Sequence, residues 1–126
     1  MKHLPTVARY LLGLVFVTFG LNYWLHFLEV PRPPALSPAA AFMGAIHGSG
    51  FLAVVKGLEI AGGALLLSGR FVNLGLTLLG PIVVTIALYH ALLLRGGLPI
   101  AIGLVVLSLV VLADRKDLRR TLLAAK

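Results

Sequence analysis

Long apolar stretches, separated by short polar or Pro- and Gly-rich segments, fill most of the chain. Four of them approach the roughly 20 residues that a helix needs to cross a bilayer: 5–28, 51–68, 71–94 and 98–113. The first is too long for the apolar part of a signal peptide, so we expect it to be retained as a helix. The pattern therefore predicts an all-α fold, a membrane bundle of four transmembrane helices forming one domain over residues 1–126.

A short additional helix is predicted between the first and second spans. The Pro-rich segment at 31–38 cannot continue a helix, because proline lacks a backbone N–H. Ser37 followed by Pro38 is a typical helix start, with the serine as N-cap, and glycines on both sides of Ser49 end the segment. We expect an interfacial helix at 38–47 that packs over the outer end of the bundle. Its predicted apolar face is Phe42, Met43 and Ile46.

Basic residues lie mainly at the ends of the apolar stretches. Eleven Lys and Arg against four acids give a net charge of +7, which we interpret as membrane topology, not nucleic-acid binding. In the four-span arrangement, one side of the membrane would carry eight of these basic residues: Lys2, Arg9, Arg70, Arg115, Lys116, Arg119, Arg120 and Lys126. The other side would carry two, Arg32 and Arg95. The positive-inside rule then predicts a multi-pass protein of the cell membrane with both termini cytoplasmic. The basic tail at 114–126 is expected to lie on the anionic lipid surface.

Composition agrees with this interpretation. Hydrophobic residues make up 60% of the chain and charged residues only 12%, against about 25% charged in soluble domains. There is no cysteine, which excludes disulfides, thiolate metal ligands and thiol redox chemistry. No G-x-S-x-G, P-loop or H-E-x-x-H motif is present. The sequence therefore assigns no catalytic residues.

Polar side chains are concentrated in the outer half of the predicted bundle. A charge at the centre of a membrane helix costs roughly 2.5–3.5 kcal/mol, so such groups are expected to face other helices. Spacings of four, four and three would place Thr18, Asn22, His26 and Glu29 on one face of the first span. The predicted ligand-binding residues are Asn22, His26, Lys56, Glu59, Thr85, Tyr89 and His90, with Glu29 and His47 at the rim.

Simpler roles compete with a ligand site. Aromatic residues near span ends (Tyr23, Trp24 and Tyr89) suit an interfacial belt, and the three histidines of the outer half could simply be hydrated. Glu29 could pair with Arg32 in water. Lys56 and Glu59, three residues apart on one helix face, could neutralise each other. A metal or haem site would need ligands from three segments, namely His26, His47, His90 and Glu29; no local spacing favours it, and we expect no bound metal.

Three segments resemble the DoxX-like family of small four-helix integral membrane proteins. They are YLLGLVFVTFGLNYWLHFLE in the first span, GLEIAGGALLLSGRFVNLGLTLLGPIVV across the second and third, and LYHALL near the end of the third. The most specific part runs from Gly57 to Arg70 and contains Glu59. The resemblance implies a four-helix membrane fold and, as in some members, an association with quinone-dependent oxidation or oxidative-stress complexes.

Two functions of different classes follow. The first is a membrane subunit that binds a small lipophilic ligand, a quinone or quinol, in the outer half of the bundle and serves a redox partner subunit. The chain itself would carry no intrinsic cofactor. The alternative is a non-catalytic scaffold or chaperone-like subunit whose intramembrane polar cluster is structural. The lipid bilayer is the expected environment, a homo-oligomer is compatible with either function, and no nucleic-acid partner is expected.

Overall fold

The computed structural model describes residues 2–30, 32–94 and 97–124. Of these residues 82% are helical, and none forms a strand, so the predicted all-α class is confirmed. The elements in chain order are α1 (Leu4–Leu25), α2 (Pro38–Gly48), α3 (Phe51–Ser68), α4 (Val72–Leu88), a π-helical turn (Tyr89–Leu93), α5 (Leu98–Asp114) and α6 (Lys116–Leu122).

Three helical stretches of the described chain are long and apolar enough to cross a membrane, namely Leu4–Leu25, Phe51–Ser68 and Val72–Leu93. A fourth qualifies only if α5 and α6 are taken together, and the chain bends by 101° between them. Length and composition thus give three candidate spans, or four if the bent pair counts as one.

Helices α1, α3, α4 and α5 form a closed ring. The contacts run from α1 to α3, from α3 to α4, from α4 to α5 and back from α5 to α1, and the α1–α3 contact is the most extensive. Side chains that are fully buried come from every member of the ring: Leu12 and Phe16 of α1, Leu66 of α3, Leu79 of α4 and Val111 of α5. Leucine, valine and phenylalanine side chains also cover much of the outer surface of the ring. Such an apolar surface suits contact with lipid acyl chains and not with water.

Glycines bring α1 and α3 into backbone contact. A Cβ atom placed on Gly13 would lie 2.8 Å from the carbonyl oxygen of Gly63, and one on Gly63 would lie 2.8 Å from that of Gly13. Small residues of this kind allow close helix approach where no hydrophobic effect drives association. The sequence predicts such contacts at seven glycines, and the structure places five in them: Gly13, Gly20, Gly62, Gly63 and Gly75. The prediction is wrong for Gly57 and Gly80, where an added Cβ would meet no atom within 4 Å.

Helix α1 ends earlier than the sequence predicts. Its last residue is Leu25, not residue 28, and His26 adopts a left-handed conformation with φ 52°. His26 and Glu29 therefore lie beyond the helix, and the predicted four-residue face that joins them to Thr18 and Asn22 is wrong. A left-handed residue after the last turn is a common way to stop a helix.

Helix α2 covers the end of the ring at which the α1–α2 loop lies, here called the loop end. Ser37 caps α2 by accepting a hydrogen bond from the backbone N–H of Ala40, at 3.1 Å. Gly50, with φ 85°, then turns the chain into α3, a conformation that favours glycine. Helix α2 contacts α3 and the π-helical turn, so it lies across the ring and does not extend α3. Its only fully covered side chain is Ala39, and the predicted face of Phe42, Met43 and Ile46 is partly buried.

Two arginines join helices at the opposite end, here called the tail end. Arg9 of α1 donates a hydrogen bond to the carbonyl oxygen of Leu66, near the end of α3, where carbonyls lack helical partners. Arg115, between α5 and α6, donates from Nε to Oδ1 of Asn73 at 2.9 Å. Helix α6 returns against the bundle through Leu118, which is buried. Both arginines thus tie chain segments that are distant in sequence.

Substitution of Gly63 by alanine should destabilise the protein. The added methyl group would overlap the backbone of α1, and such overpacking typically costs about 1–3 kcal/mol. The matched control is Gly57→Ala in the same helix, which has open space around it and should be neutral or slightly stabilising, because alanine favours helix more than glycine. Thermal unfolding in detergent measures both. Equal effects of the two substitutions would contradict the α1–α3 contact.

Candidate functional site

Lys56 and Glu59 form an ion pair on the inner side of α3. Nζ of Lys56 lies 3.4 Å from each carboxylate oxygen of Glu59. Glu59 is only 3% exposed, whereas the Lys56 side chain keeps 23% of its surface exposed. The pair therefore has one buried member and one member that reaches the surface.

The position of Glu59 follows from the helical repeat of α3. Leu52, Glu59 and Leu66 are seven residues apart and all are buried, so they lie along one line that faces the ring interior. Gly62 and Gly63, one turn further, contact Leu79 of α4 and Val17 of α1. Glu59 thus points between α1 and α4. It lies about 12 Å along α3 from Phe51, at 1.5 Å per residue, in the half nearer the loop end.

The energetics of this pair differ from those of a surface salt bridge. Removing a carboxylate from water costs several kcal/mol, and only a close partner offsets that cost. Among the described residues, the hydrogen bond to the Glu59 side chain comes from Lys56. The remaining lone pairs of the carboxylate can still accept hydrogen bonds. The charge of Glu59 is therefore balanced by Lys56 of the same helix, and its carboxylate oxygens can still accept a hydrogen bond from a donor on a ligand.

Asn22 is buried but its amide serves the chain itself. Oδ1 accepts a hydrogen bond from the backbone N–H of Leu28 at 2.7 Å, and Nδ2 donates to the Leu28 carbonyl oxygen at 3.1 Å. These bonds hold the segment after α1 against its last turns, which is consistent with the left-handed turn at His26. The sequence predicts Asn22 as a ligand-binding residue; the structure instead gives its amide a role in closing the end of α1.

Thr85 does not face the ring interior. Its side chain is exposed, and its hydroxyl donates to the carbonyl oxygen of Pro81 four residues earlier, at 2.8 Å. A threonine hydroxyl satisfied by its own helix is compatible with a lipid-facing surface. The sequence-based placement of Thr85 with the inward-facing polar groups is therefore wrong.

Tyr89 and His90 lie in the π-helical turn, close to α2. The Tyr89 ring centroid is 5.7 Å from that of Phe42 and 5.1 Å from that of His90. Nδ1 of His90 lies 3.0 Å from the carbonyl oxygen of Ile86, and a carbonyl only accepts, so Nδ1 carries the hydrogen. Single π-helical turns are frequent at functional sites, and no periodicity in the sequence predicts this one.

The remaining predicted residues are on the outside. His26, Glu29 and His47 are exposed, and His47 stacks loosely near Tyr23 with ring centroids 5.8 Å apart. Within the described ranges, no three His, Asp or Glu side chains come together as a metal site would require. The structure thus separates the predicted set into the buried Lys56–Glu59 pair, the Tyr89–His90 turn beside α2, and an exposed rim.

Two open depressions on the described surface lie at the tail end. One, of about 410 Å³, is lined by Lys116, Arg119, Arg120 and Leu123. A second, of about 250 Å³, is lined by Asn73, Asp114, Arg115, Lys116 and Asp117. The sequence predicts for this tail only a role in membrane orientation and lipid contact. The depressions depend on the bend before α6, which the sequence does not reveal. The sequence shows only a basic run after an apolar helix.

No protein-family model matches this sequence, and neither the curated proteins nor the solved structures contain a match to it.

Replacing Asn22 by alanine should weaken the end of α1. The substitution removes both side-chain hydrogen bonds to Leu28, and a hydrogen bond of this kind contributes about 0.5–1.5 kcal/mol. Leu25→Ala is the matched control, because it truncates an exposed side chain in the same last turn of α1. We expect Asn22→Ala to lower the unfolding temperature more than Leu25→Ala, and hydrogen exchange at residues 26–30 to accelerate. Unchanged exchange in the Asn22→Ala variant would show that the amide does not hold this segment.

Proposed function

We propose that the chain is a four-helix integral membrane protein, with α1, α3, α4 with its π-helical turn, and α5 as the spans. The apolar exterior of the ring and the three or four candidate spans support this proposal. Both termini would lie in the cytoplasm, since the tail end carries most of the basic residues. Helix α2 would then lie at the outer surface. The four-helix membrane fold is the one implied by the resemblance to DoxX-like proteins.

We further propose that the Lys56–Glu59 pair anchors the polar head of a small lipophilic ligand. The supporting observation is a carboxylate that is 3% exposed in an otherwise apolar helix, paired with an ammonium that reaches the surface. Intramembrane ionisable groups are costly and mark functional sites by default. A packing contact alone would be made more cheaply by apolar side chains of similar size.

A quinone or quinol fits these groups best. The Lys56 ammonium can donate a hydrogen bond to a quinone carbonyl, and the Glu59 carboxylate can accept one from a quinol hydroxyl. The ring would approach from the loop end, where Phe42 and Tyr89 offer aromatic faces. Such rings favour offset or edge-to-face contacts with other aromatic rings. Binding pockets combine apolar walls with a few polar groups in this way.

Electron transfer would fall to a partner protein. Reduction of a quinone to a quinol takes up two electrons and two protons, and the side chains of this chain include no cysteine and supply no redox centre of their own. A redox enzyme docked on the bundle would deliver or remove the electrons. The chain would hold the quinone head group and keep it at a fixed depth in the outer half of the membrane.

A scaffold without a ligand is the second candidate. The observation that favours it is the internal satisfaction of the polar groups: Asn22 bonds to Leu28, and Glu59 is neutralised by Lys56. In that case the pair would only fix the rotation of α3 within the ring. The two candidates make different predictions for a protein that lacks both charges and remains folded.

Single and double substitutions of the pair separate the two functions. Glu59→Gln and Lys56→Met should each destabilise, because the partner is left as an uncompensated charge; such losses reach about 3–5 kcal/mol for fully buried pairs. Since the Lys56 side chain is 23% exposed, an unpaired Lys56 can be partly solvated. Glu59→Gln should therefore lower the free energy of unfolding less than Lys56→Met does. The double variant should recover stability. We predict that it nevertheless loses quinone binding, by at least about tenfold in Kd.

Binding can be followed without an added label. The chain has a single tryptophan, Trp24, which lies in the last turn of α1 at the loop end, and quinones quench indole fluorescence on contact. A short-chain ubiquinone analogue and a naphthoquinone are the probes. Asp117→Asn is the control, because it removes an exposed carboxylate at the tail end, away from the pair. Wild-type affinity in a well-folded double variant would refute the ligand site and favour the scaffold.

A further inference from the structure

The 410 Å³ depression beside α6 has features of an anion site. Three of its four lining residues are basic, namely Lys116, Arg119 and Arg120. Within the described part of the chain none of the three forms a salt bridge. The fourth lining residue, Leu123, is 83% exposed and adds an apolar wall. Positive charge and exposed hydrocarbon thus meet in one concave surface.

Arg119 supplies a second, independent observation. Its Nε–H is buried, and among the residues that the structure describes it has no hydrogen-bond partner. Buried donors are nearly always satisfied, so each exception needs an explanation. The buried Nε–H is out of reach of an external ligand in this conformation, but Arg119 also lines the depression. A rotation of its side chain would turn the guanidinium fork, with the unpaired Nε–H, toward phosphate oxygens. The acids of this region do not fill the role, because Asp114 and Asp117 line the neighbouring depression with Arg115.

The bend between α5 and α6 gives the depression its orientation. The two helices meet at 101°, so if α5 runs across the membrane, α6 lies nearly parallel to its surface. Leu118 is buried against the bundle, while Leu122 and Leu123 are exposed. A short helix with basic groups and exposed leucines at this depth lies where lipid phosphates meet acyl chains.

We propose that this depression binds the phosphate head group of an anionic phospholipid. On binding, Arg119 turns its guanidinium fork toward the phosphate oxygens. Lys116 and Arg120 add charge, and Leu123 contacts the carbons below the head group. This site rests on the membrane placement of the bundle but is independent of the Lys56–Glu59 ligand site. Its failure would leave the quinone proposal unaffected, and the converse also holds.

Native mass spectrometry of the full chain in detergent tests the site with two lipids of equal acyl composition, phosphatidylglycerol and phosphatidylcholine. We expect preferential retention of phosphatidylglycerol. Arg119→Gln should weaken its retention by about tenfold, the value expected for loss of a hydrogen bond to a charged group. Arg120→Gln, at an exposed position, should weaken it by about fivefold, as expected for one surface charge. Arg70→Gln, an exposed arginine outside the depression, is the matched control and should have no effect.

Other outcomes overturn the proposal in distinguishable ways. Equal retention of both lipids would exclude an anionic lipid site. Equal losses from Arg70→Gln and Arg120→Gln would show diffuse attraction of charge to this face instead of a site. Displacement of phosphatidylglycerol by inorganic phosphate at equal concentration would identify free phosphate, not lipid, as the ligand.

Discussion

The apolar exterior of the helix ring leaves one place for a buried charge, which is the space between the helices. That space exists in its present form because Gly13 and Gly63 let α1 and α3 approach to backbone contact. The same side of α3 carries Glu59 one turn away, so the rotation of α3 that buries Gly63 also buries the carboxylate. The rotation of α3 therefore determines both the α1–α3 packing and the burial of Glu59. Lys56, which lies nearer the loop end, offsets the cost of burying the carboxylate by pairing with it.

The two ends of the ring use polar groups differently. At the loop end, Asn22 and Ser37 form hydrogen bonds with nearby backbone groups on either side of the α1–α2 loop, and the Phe42 and Tyr89 rings contact each other between α2 and the π-helical turn. At the tail end, arginines reach across long sequence separations, from Arg115 to Asn73 and from Arg9 to Leu66. The proposed quinone site and the proposed lipid site thus lie at opposite ends and share no residue.

Features set by local chemistry could be predicted from the sequence. Helix α3 has the predicted bounds because glycines flank it, and the Lys56–Glu59 contact follows from a spacing of three on one helix. Features that depend on tertiary arrangement could not. The early end of α1 depends on the bonds between Asn22 and Leu28, and no pattern distinguishes Gly63, which contacts α1, from Gly57, which contacts nothing, until the rotation of α3 is known. The bend before α6, which forms the tail-end depressions, has no periodic signal either.

The central claim is that the bundle spans a membrane with its loop end outside and its tail end in the cytoplasm. Because the chain has no cysteine, single cysteines at the exposed positions Ala35 and Ala124 can be tested in intact cells with a membrane-impermeant maleimide. Ala35→Cys should react at once, whereas Ala124→Cys should react only after the membrane is permeabilised. Reaction of both from the same side would contradict this topology.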